Sequence, residues 1–108
     1  MGEVYQINDW VKLNYKSSFA VEDLAVQANM SSSSLHRKFK AAIGMGPVQC
    51  QKQLRLVEAR RQMLSLGATV IQAAIEVGYE SVSQFSRGYK SMFGVSPSQD
   101  VKSHKGSE

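Results

Sequence analysis

The sequence contains little of what an exported or membrane-spanning protein needs. Cys50 is the one cysteine among 108 residues, so neither an internal disulfide nor a cysteine-based metal site can form. No run approaches the roughly 18 apolar residues that cross a bilayer, and the first residues lack the basic start and apolar run of a signal peptide. We therefore expect a cytoplasmic protein with no membrane partner.

Patterns that indicate catalysis are also scarce. The two histidines lie in unrelated parts of the chain, no pair of carboxylates has a catalytic spacing, and no glycine-rich phosphate loop is present. These absences argue against an enzyme, and we expect no cofactor. With 43% hydrophobic residues and only two prolines, the chain is typical of a folded, compact protein with one or at most two small domains.

Positive charge is present and is unevenly distributed. Lys and Arg outnumber Asp and Glu by 13 to 9, which favours a polyanionic partner such as nucleic acid or an anionic membrane surface. Residues 31–66 contain seven basic residues and one acidic residue, whereas residues 1–30 contain two basic and four acidic residues. If a polyanion binds, the middle third of the chain should contribute much of the contact.

One pattern occurs twice in the chain. The segments SSSSLHRKFKAAIGMGP (31–47) and SVSQFSRGYKSMFGVSP (81–97) share a polar opening, an apolar residue, an aromatic residue four positions later and a final Gly-x-x-Pro. Upstream of them, the apolar spacing of residues 21–28 recurs at residues 70–77. Because turn residues match as well as apolar ones, we interpret the repeat as an internal duplication of one structural unit.

Each copy is predicted to begin with a short helix and a turn. Residues 21–28 and 70–77 place apolar residues at i, i+3, i+4 and i+7, which is one face of a helix, and Thr69 is a good N-cap for the second copy. Asn29 and Gly78 follow these helices, and both residue types tolerate a left-handed backbone. The pattern therefore predicts a sharp turn at the same place in both copies.

The second helix of each copy is predicted to be longer and two-faced. Ser31 and Ser81 are the expected N-caps, and Gly44 and Gly94 the expected ends. A helix, a turn and a longer helix with a polar, basic outer face form a helix-turn-helix, the unit that lays its second helix in a DNA major groove. The expected buried face comprises Leu35, Phe39, Ala42 and Ile43 in the first copy and Phe85, Tyr89, Met92 and Phe93 in the second.

A long helix is predicted between the copies. Pro47 suits its first turn and Gly67 its end. At about 20 residues it would be about 30 Å long, which could hold the two copies about one DNA turn, roughly 34 Å, apart. Its apolar stripe is expected to contain Leu56, Ala59, Met63 and Leu66.

The predicted fold is all-α, with about seven helices and two helix-turn-helix motifs joined by the long linker helix. Ile7, Trp10 and Val11 suggest an opening helix, and a short closing helix is expected after Pro97. The expected organisation is an N-terminal helix with the first motif at residues 1–46, the linker helix at 47–66, and the second motif at 67–108.

Three segments together resemble the DNA-binding domain of AraC/XylS-type bacterial transcription regulators. They are LAVQANMSSSSLHRKFKAAIGMGP (24–47), RLVEAR (55–60) and VGYESVSQFSRGYKSMFGVSP (77–97), and the resemblance extends over about residues 5–101. It implies a seven-helix transcription activator domain in which one polypeptide places two recognition helices in adjacent major-groove segments. It also implies double-stranded DNA and RNA polymerase as partners, a monomeric isolated domain, and a longer protein that dimerises through a separate N-terminal domain.

The same resemblance implies which residues contact DNA. Helical phase independently places Ser33 and Arg37 opposite the apolar face of the first recognition helix. Arg can bind guanine O6 and N7, Gln can bind adenine, and Val can meet a thymine methyl, whereas Lys suits phosphate. The base-reading positions are Ser33, His36, Arg37, Val82, Ser83, Gln84 and Arg87, and the phosphate-binding positions are Lys38, Lys40, Lys52 and Lys90.

Some residues depart from the family pattern. Cys50 stands where the family often has an aromatic residue, and we expect it to be a buried small apolar side chain. Ala20 replaces the usual hydroxyl cap. Ser32, Ser33 and Ser34 offer little reach, so we expect the first motif to contribute more to affinity than to specificity.

Other interpretations stay open at this point. Arg55 could form a structural ion pair with a carboxylate such as Glu58 or Asp23, and His36 could simply be exposed on a helix surface. The alternative function is a protein-interaction module or a helical module that binds anionic surfaces without specificity. That alternative would explain the charge, but it does not require a duplicated helix-turn-helix.

Overall fold

The computed structural model of the protein describes residues 2–106 and contains seven α-helices and no strand in that range. The all-α architecture predicted from the sequence is therefore confirmed. The helices are α1 (Gly2–Asn14), α2 (Val21–Gln27), α3 (Ser32–Ile43), α4 (Pro47–Ser65), α5 (Val70–Glu76), α6 (Val82–Phe93) and α7 (Pro97–Gly106). None of these described helices has the length and apolarity that a membrane span requires.

Side-chain caps start most of the helices of the two motifs. The Thr69 hydroxyl accepts the Gln72 backbone N–H at 3.1 Å, and the Gln72 side chain accepts the Thr69 N–H at 3.0 Å, which together form a capping box for α5. Ser31 and Ser81 cap α3 and α6 as predicted. The cap of α2 is Ala20, which makes no side-chain hydrogen bond, so α2 begins without this stabilisation.

The turns repeat between the two motifs. Asn29 has a φ of 57° between α2 and α3, and Gly78 has a φ of 100° between α5 and α6. Gly44 and Gly94 end the two recognition helices with φ values of 100° and 83°. The left-handed residues expected from the sequence are confirmed at these positions, where glycine and asparagine are the residues least strained.

The helices form two compact units that divide between Lys52 and Gln53, inside α4. The first unit contains α1, α2, α3 and the start of α4, and the second contains the rest of α4 with α5, α6 and α7. Buried apolar side chains of the first unit are Val4, Ile7, Val11, Leu24, Ala25, Ala28, Leu35, Phe39 and Cys50. The core of the second unit is Leu56, Ala59, Met63, Ala73, Ala74, Val77, Phe85 and Tyr89.

The structural repeat is longer than the segments first recognised in the sequence. Buried side chains at Val4, Ile7 and Val11 of α1 have the same spacing as those at Leu56, Ala59 and Met63 of α4. The beginning of α4 matches the beginning of α7, since each starts at a buried proline. Each unit therefore has the same order of helical segments, and α4 supplies the last segment of one unit and the first of the next.

Two residues assigned to apolar faces are exposed. Leu66 is 65% exposed because α4 ends at Ser65 and the chain turns through Gly67, whose φ is 73°. Met92 is 39% exposed. It follows Tyr89 by three residues and lies at the edge of the buried face, whereas Phe93, four residues after Tyr89, follows that face more closely. The expected burial of both residues was wrong.

Candidate nucleic-acid interface

The first recognition helix, α3, has one buried and one solvent-facing side. Leu35 and Phe39 are 0% exposed, whereas Ser33 and Arg37 are exposed on the outer side. Because a helix advances 100° per residue, side chains two positions from a buried residue lie almost opposite to it. The orientation predicted from helical phase is confirmed, and it leaves the outer face of α3 open to a ligand.

The second recognition helix, α6, repeats this arrangement. Phe85 and Tyr89 are 0% exposed, and Arg87 between them faces solvent. Val82, at the first position of α6, is 37% exposed and presents an apolar side chain at the edge of the outer face. Exposure is required for contact with bases or phosphates, and it holds for Ser33, His36, Arg37, Lys38, Lys40, Lys52, Val82, Ser83, Gln84, Arg87 and Lys90.

Aromatic rings line the buried side of α6, three of them from α6 itself. The ring centroids are 5.4 Å apart for Tyr79 and Phe85, 5.6 Å for Phe85 and Tyr89, and 4.5 Å for Tyr89 and Phe93. Each distance lies within the range at which aromatic pairs attract one another. The rings of Tyr79, Phe85, Tyr89 and Phe93 thus form a continuous packed row along the buried side of α6, which we call the aromatic row.

A hydrogen-bonded ion pair joins this row to two other helices. The Tyr89 hydroxyl donates to Oδ2 of Asp100 at 2.6 Å, and Nε of Arg60 donates to the same oxygen at 2.9 Å. Burial alone would raise the pKa of Asp100, but these two donors outweigh it and hold that pKa below its ordinary value. Burial and the neighbouring carboxylate raise the pKa of Tyr89. The three side chains therefore remain hydrogen-bonded in their Asp⁻, Arg⁺ and neutral Tyr forms.

Tyr79 and Arg55 form a second contact behind α6. The Arg55 guanidinium lies 5.4 Å from the centroid of the Tyr79 ring, within reach of a cation–π interaction. Burial lowers the pKa of Arg55 and raises that of Tyr79. The Tyr79 hydroxyl is buried and has no hydrogen-bond partner among the described residues. The face of the Tyr79 ring is therefore one partner of Arg55, and the carboxylate partner suggested by the sequence stays a prediction.

The side chain of His36 packs against the start of α4. A Cβ atom on Gly46 would lie 2.7 Å from Cε1 of the His36 ring and 2.9 Å from its Nδ1. Gly46 is buried, although His36 remains exposed on its other side. This predicted base-reading residue therefore also occupies space that is open only because residue 46 has no side chain.

The basic residues differ in whether they form ion pairs with acidic side chains of the chain. Arg61 pairs with Glu58 at 2.7 Å and Arg60 pairs with Asp100, so the charges of these two arginines are partly neutralised within the chain. Lys38 is one of several groups that lower the pKa of Glu3, the largest being a hydrogen bond from the Glu3 backbone. For Arg37 and Arg87, the described part of the chain shows no ion pair.

Cys50 is a structural residue. It is 8% exposed, and its Sγ lies 3.9 Å from Oδ1 of Asn8, which is also buried. Burial raises the pKa of the Cys50 thiol, which disfavours the reactive thiolate. The interpretation of Cys50 as a small buried side chain is confirmed. Within residues 2–106 no cluster of His, Cys, Asp and Glu side chains could hold a metal ion.

Sequence comparisons assign the chain to a family. The helix-turn-helix domain family matches residues 24–103. The HTH-type transcriptional activator RhaS of Yersinia pestis is 32% identical over 102 residues, which cover 94% of this chain and 37% of that protein. A Streptomyces lividans protein named as AraC-like is 38% identical over 87 residues, covering 81% and 28% of the two chains. The chain thus spans about a third of the length of these curated relatives.

Solved structures share the architecture. The DNA-binding domain of AdpA, crystallised with a target DNA, has a TM-score of 0.88 at 23% identity, and the match covers 98% of this chain and 96% of that one. The C-terminal domain of AraT, a response regulator from Geobacillus stearothermophilus, has a TM-score of 0.85 at 25% identity, with coverage of 95% and 86%. The chain therefore belongs to the helix-turn-helix DNA-binding domains of AraC-type transcription regulators, whose function is sequence-specific DNA binding.

Proposed function

We propose that a single chain binds an asymmetric site on double-stranded DNA by placing α3 and α6 in adjacent segments of the major groove. The observation that carries this proposal is the equivalence of Arg37 and Arg87. The two arginines occupy the same position in the repeat, and each lies two residues after a fully buried residue and faces solvent. Two matched helix faces on one chain can therefore contact two stretches of DNA without dimerisation.

The side chains on each face suggest different contributions. Arg87 and Arg37 can each bind O6 and N7 of a guanine, Gln84 can pair with an adenine, and Val82 can contact a thymine methyl. The outer face of α3 offers Ser33, His36 and Arg37. Of these, Ser33 and His36 have shorter side chains than arginine. We therefore assign more of the sequence preference to α6 and more of the electrostatic affinity to the first motif.

Four lysines are assigned to the DNA backbone. Their ammonium groups are exposed, and a flexible point charge suits phosphate better than a base edge. Each such contact releases a condensed counterion, so binding should weaken as the salt concentration rises. The assigned residues are Lys38, Lys40, Lys52 and Lys90.

The wider role that we propose is transcription activation in the bacterial cytoplasm, at the nucleoid. RhaS is named a transcriptional activator, and this chain matches about a third of it. A complete regulator would add RNA polymerase as a protein partner and a dimerisation domain, while the domain described here would bind DNA as a monomer.

Two alanine variants on the same helix test the proposed assignment. Arg87→Ala should cost about 1–3 kcal/mol of binding free energy on a selected site and relax the preference at one or two base pairs. Lys90→Ala should instead weaken selected and random DNA alike and lower the slope of log K against log salt by about one unit. An equal loss on selected and random DNA for Arg87→Ala would show that this residue contacts only phosphate.

A further inference from the structure

Three rings of the aromatic row, those of Phe85, Tyr89 and Phe93, belong to α6 itself, so the contacts among them do not fix the rotation of α6 relative to the other helices. The apolar contacts of α6 with the rest of the core are non-directional, so their energy changes gradually as the helix turns. A hydrogen bond to a carboxylate weakens steeply with distance and angle. Among the residues of the aromatic row, Tyr89 makes such a bond, and it does so with Asp100.

Asp100 ties three helices together through one oxygen atom. Oδ2 accepts the Tyr89 hydroxyl of α6 and the Arg60 Nε of α4, while Asp100 itself lies in the first turn of α7. The Arg60 guanidinium also lies 5.3 Å from the centroid of the Phe93 ring, so it contacts the end of the same aromatic row. Tyr89 is fully buried, and the side chain of Asp100 is 14% exposed, which protects this directional contact from water.

The described residues of the first unit do not repeat this arrangement of a tyrosine hydroxyl, a carboxylate and an arginine. At the positions matching Tyr89, Asp100 and Arg60 the first unit has Phe39, Cys50 and Asn8. Phe39 has no hydroxyl, and the corresponding polar contact is the weak one between the Cys50 thiol and Asn8 at 3.9 Å. Fixing of a recognition helix through a buried tyrosine hydroxyl is therefore a property of the second unit.

We propose that Asp100 is a positioning residue for sequence reading: through Tyr89 and Arg60 it fixes the rotation of α6 and so directs Arg87 and its neighbours at the bases. This inference rests on the proposed DNA-reading role of α6. A helix with its side chains has a radius of about 5–6 Å, so a rotation of about 10° moves a side-chain tip by about 1 Å. A displacement of that size is enough to break a bidentate hydrogen bond to guanine.

The test uses Asp100→Ala, which removes the shared acceptor, and Asp100→Asn, which keeps one oxygen able to accept both donors. Tyr89→Phe removes the hydroxyl alone and keeps the ring and the ion pair. Asp9→Asn is the control, because it removes an exposed carboxylate from the first unit and changes the net charge equally. Each variant is checked for a complete folded signal by circular dichroism at the assay temperature. Binding is then measured on DNA in which each base pair of a selected site is varied in turn.

The base pairs read by α6 are those at which Arg87→Ala loses discrimination in the parent background. Discrimination is the ratio of the affinity for the preferred base pair to the affinity for a substituted one. At these positions Asp100→Ala should reduce this ratio at least about fivefold, and Tyr89→Phe should reduce it about two- to threefold. In Asp100→Asn and Asp9→Asn the ratio should stay within twofold of the parent. The base pairs read by α3 should be unaffected by all four changes. A fraction of globally unfolded protein cannot produce this pattern, because it would reduce binding to every sequence by the same factor. Local unfolding of the second unit is excluded separately, by the complete circular-dichroism signal that each variant must show.

Two results would overturn the inference. One is a fully folded Asp100→Ala protein with unchanged preferences at the base pairs read by α6; if that variant does not fold, unchanged preferences in folded Tyr89→Phe count in the same way. The other is a loss of binding affinity by the same factor on every DNA variant, which would assign Asp100 a role in stability alone. The failure of the proposed function would be distinguishable, because the parent protein itself would then show no preference for the selected site over scrambled DNA.

Discussion

The imidazole ring of His36 fills the space that a side chain on Gly46 would need. The three atoms nearest to a Cβ on Gly46 all belong to this ring, the closest at 2.7 Å. Gly46 does not have a positive φ, so its backbone would accept alanine. The obstacle to a side chain at residue 46 is therefore the ring of His36 and not the backbone.

This relationship predicts a coupling between the two residues. Gly46→Ala should raise the free energy of unfolding by about 0.4–1 kcal/mol in a His36→Ala background, because alanine restricts the unfolded chain. In the parent background the clash with the ring should cancel or reverse that gain. Urea unfolding of the four proteins in a double-mutant cycle measures the coupling, and additive effects would show that the ring moves away freely.

Two tyrosines on the same aromatic row should respond in opposite ways to loss of the hydroxyl. The Tyr79 hydroxyl is buried without a partner, so Tyr79→Phe should raise the free energy of unfolding by up to about 1–3 kcal/mol while keeping the ring beneath Arg55. The Tyr89 hydroxyl donates to a carboxylate, so Tyr89→Phe should lower it by about 1.5–3 kcal/mol. Thermal and urea unfolding of both variants provide the measurement, with each serving as the other's control. Destabilisation by both changes would indicate that Tyr79 also has a partner.

Acid should weaken the second unit partly through Asp100. The donors Tyr89 and Arg60, with a smaller contribution from His104, hold the pKa of Asp100 below its ordinary value against the effect of burial. A carboxyl with a lowered folded-state pKa stabilises the protein above its ordinary pKa, and this contribution is lost as the pH falls through the folded-state pKa.

The stability difference between the parent and Asp100→Asn should therefore shrink as the pH falls from about 5 downward. Urea unfolding followed at a series of pH values between about 3 and 7 measures it, provided that unfolding remains cooperative at each pH. A difference that stays constant over the series would mean that the Asp100 carboxylate is not stabilised by its neighbours.

The parts of the fold that could be predicted from the sequence depend on local chemistry. Thr69, Ser31 and Ser81 cap helices through atoms three residues away, and Asn29 and Gly78 adopt left-handed backbones for reasons internal to each residue. Helical phase likewise predicted which sides of α3 and α6 face solvent, because the buried residues recur with the helical period. Such features require no knowledge of which segments meet.

The contacts that determine how α6 is held could not be predicted in this way. Tyr89 and Asp100 are 11 residues apart, and Arg60 and Asp100 are 40 apart. Asp100 stands in the sequence as one more surface acid, and its family position gave no expectation of a hydroxyl partner. The contact between Arg55 and the Tyr79 ring likewise joins residues 24 positions apart, and the pairing of opposite charges gives no indication of it. The sequence offered one indication of the contact between Tyr89 and Asp100. Tyr89 lies on the predicted buried face of α6, where its hydroxyl needs a hydrogen-bond partner.

We propose that one chain reads two successive groove segments with two different helices. The most direct test of this proposal is analytical ultracentrifugation of the complex on a selected site, combined with methylation interference on the same DNA. We expect one protein chain per site and two interference patches centred about 10 base pairs apart on one face of the duplex. Arg37→Ala and Arg87→Ala should each weaken a different patch. An obligatory complex of two chains on an inverted repeat, or a single patch, would contradict it.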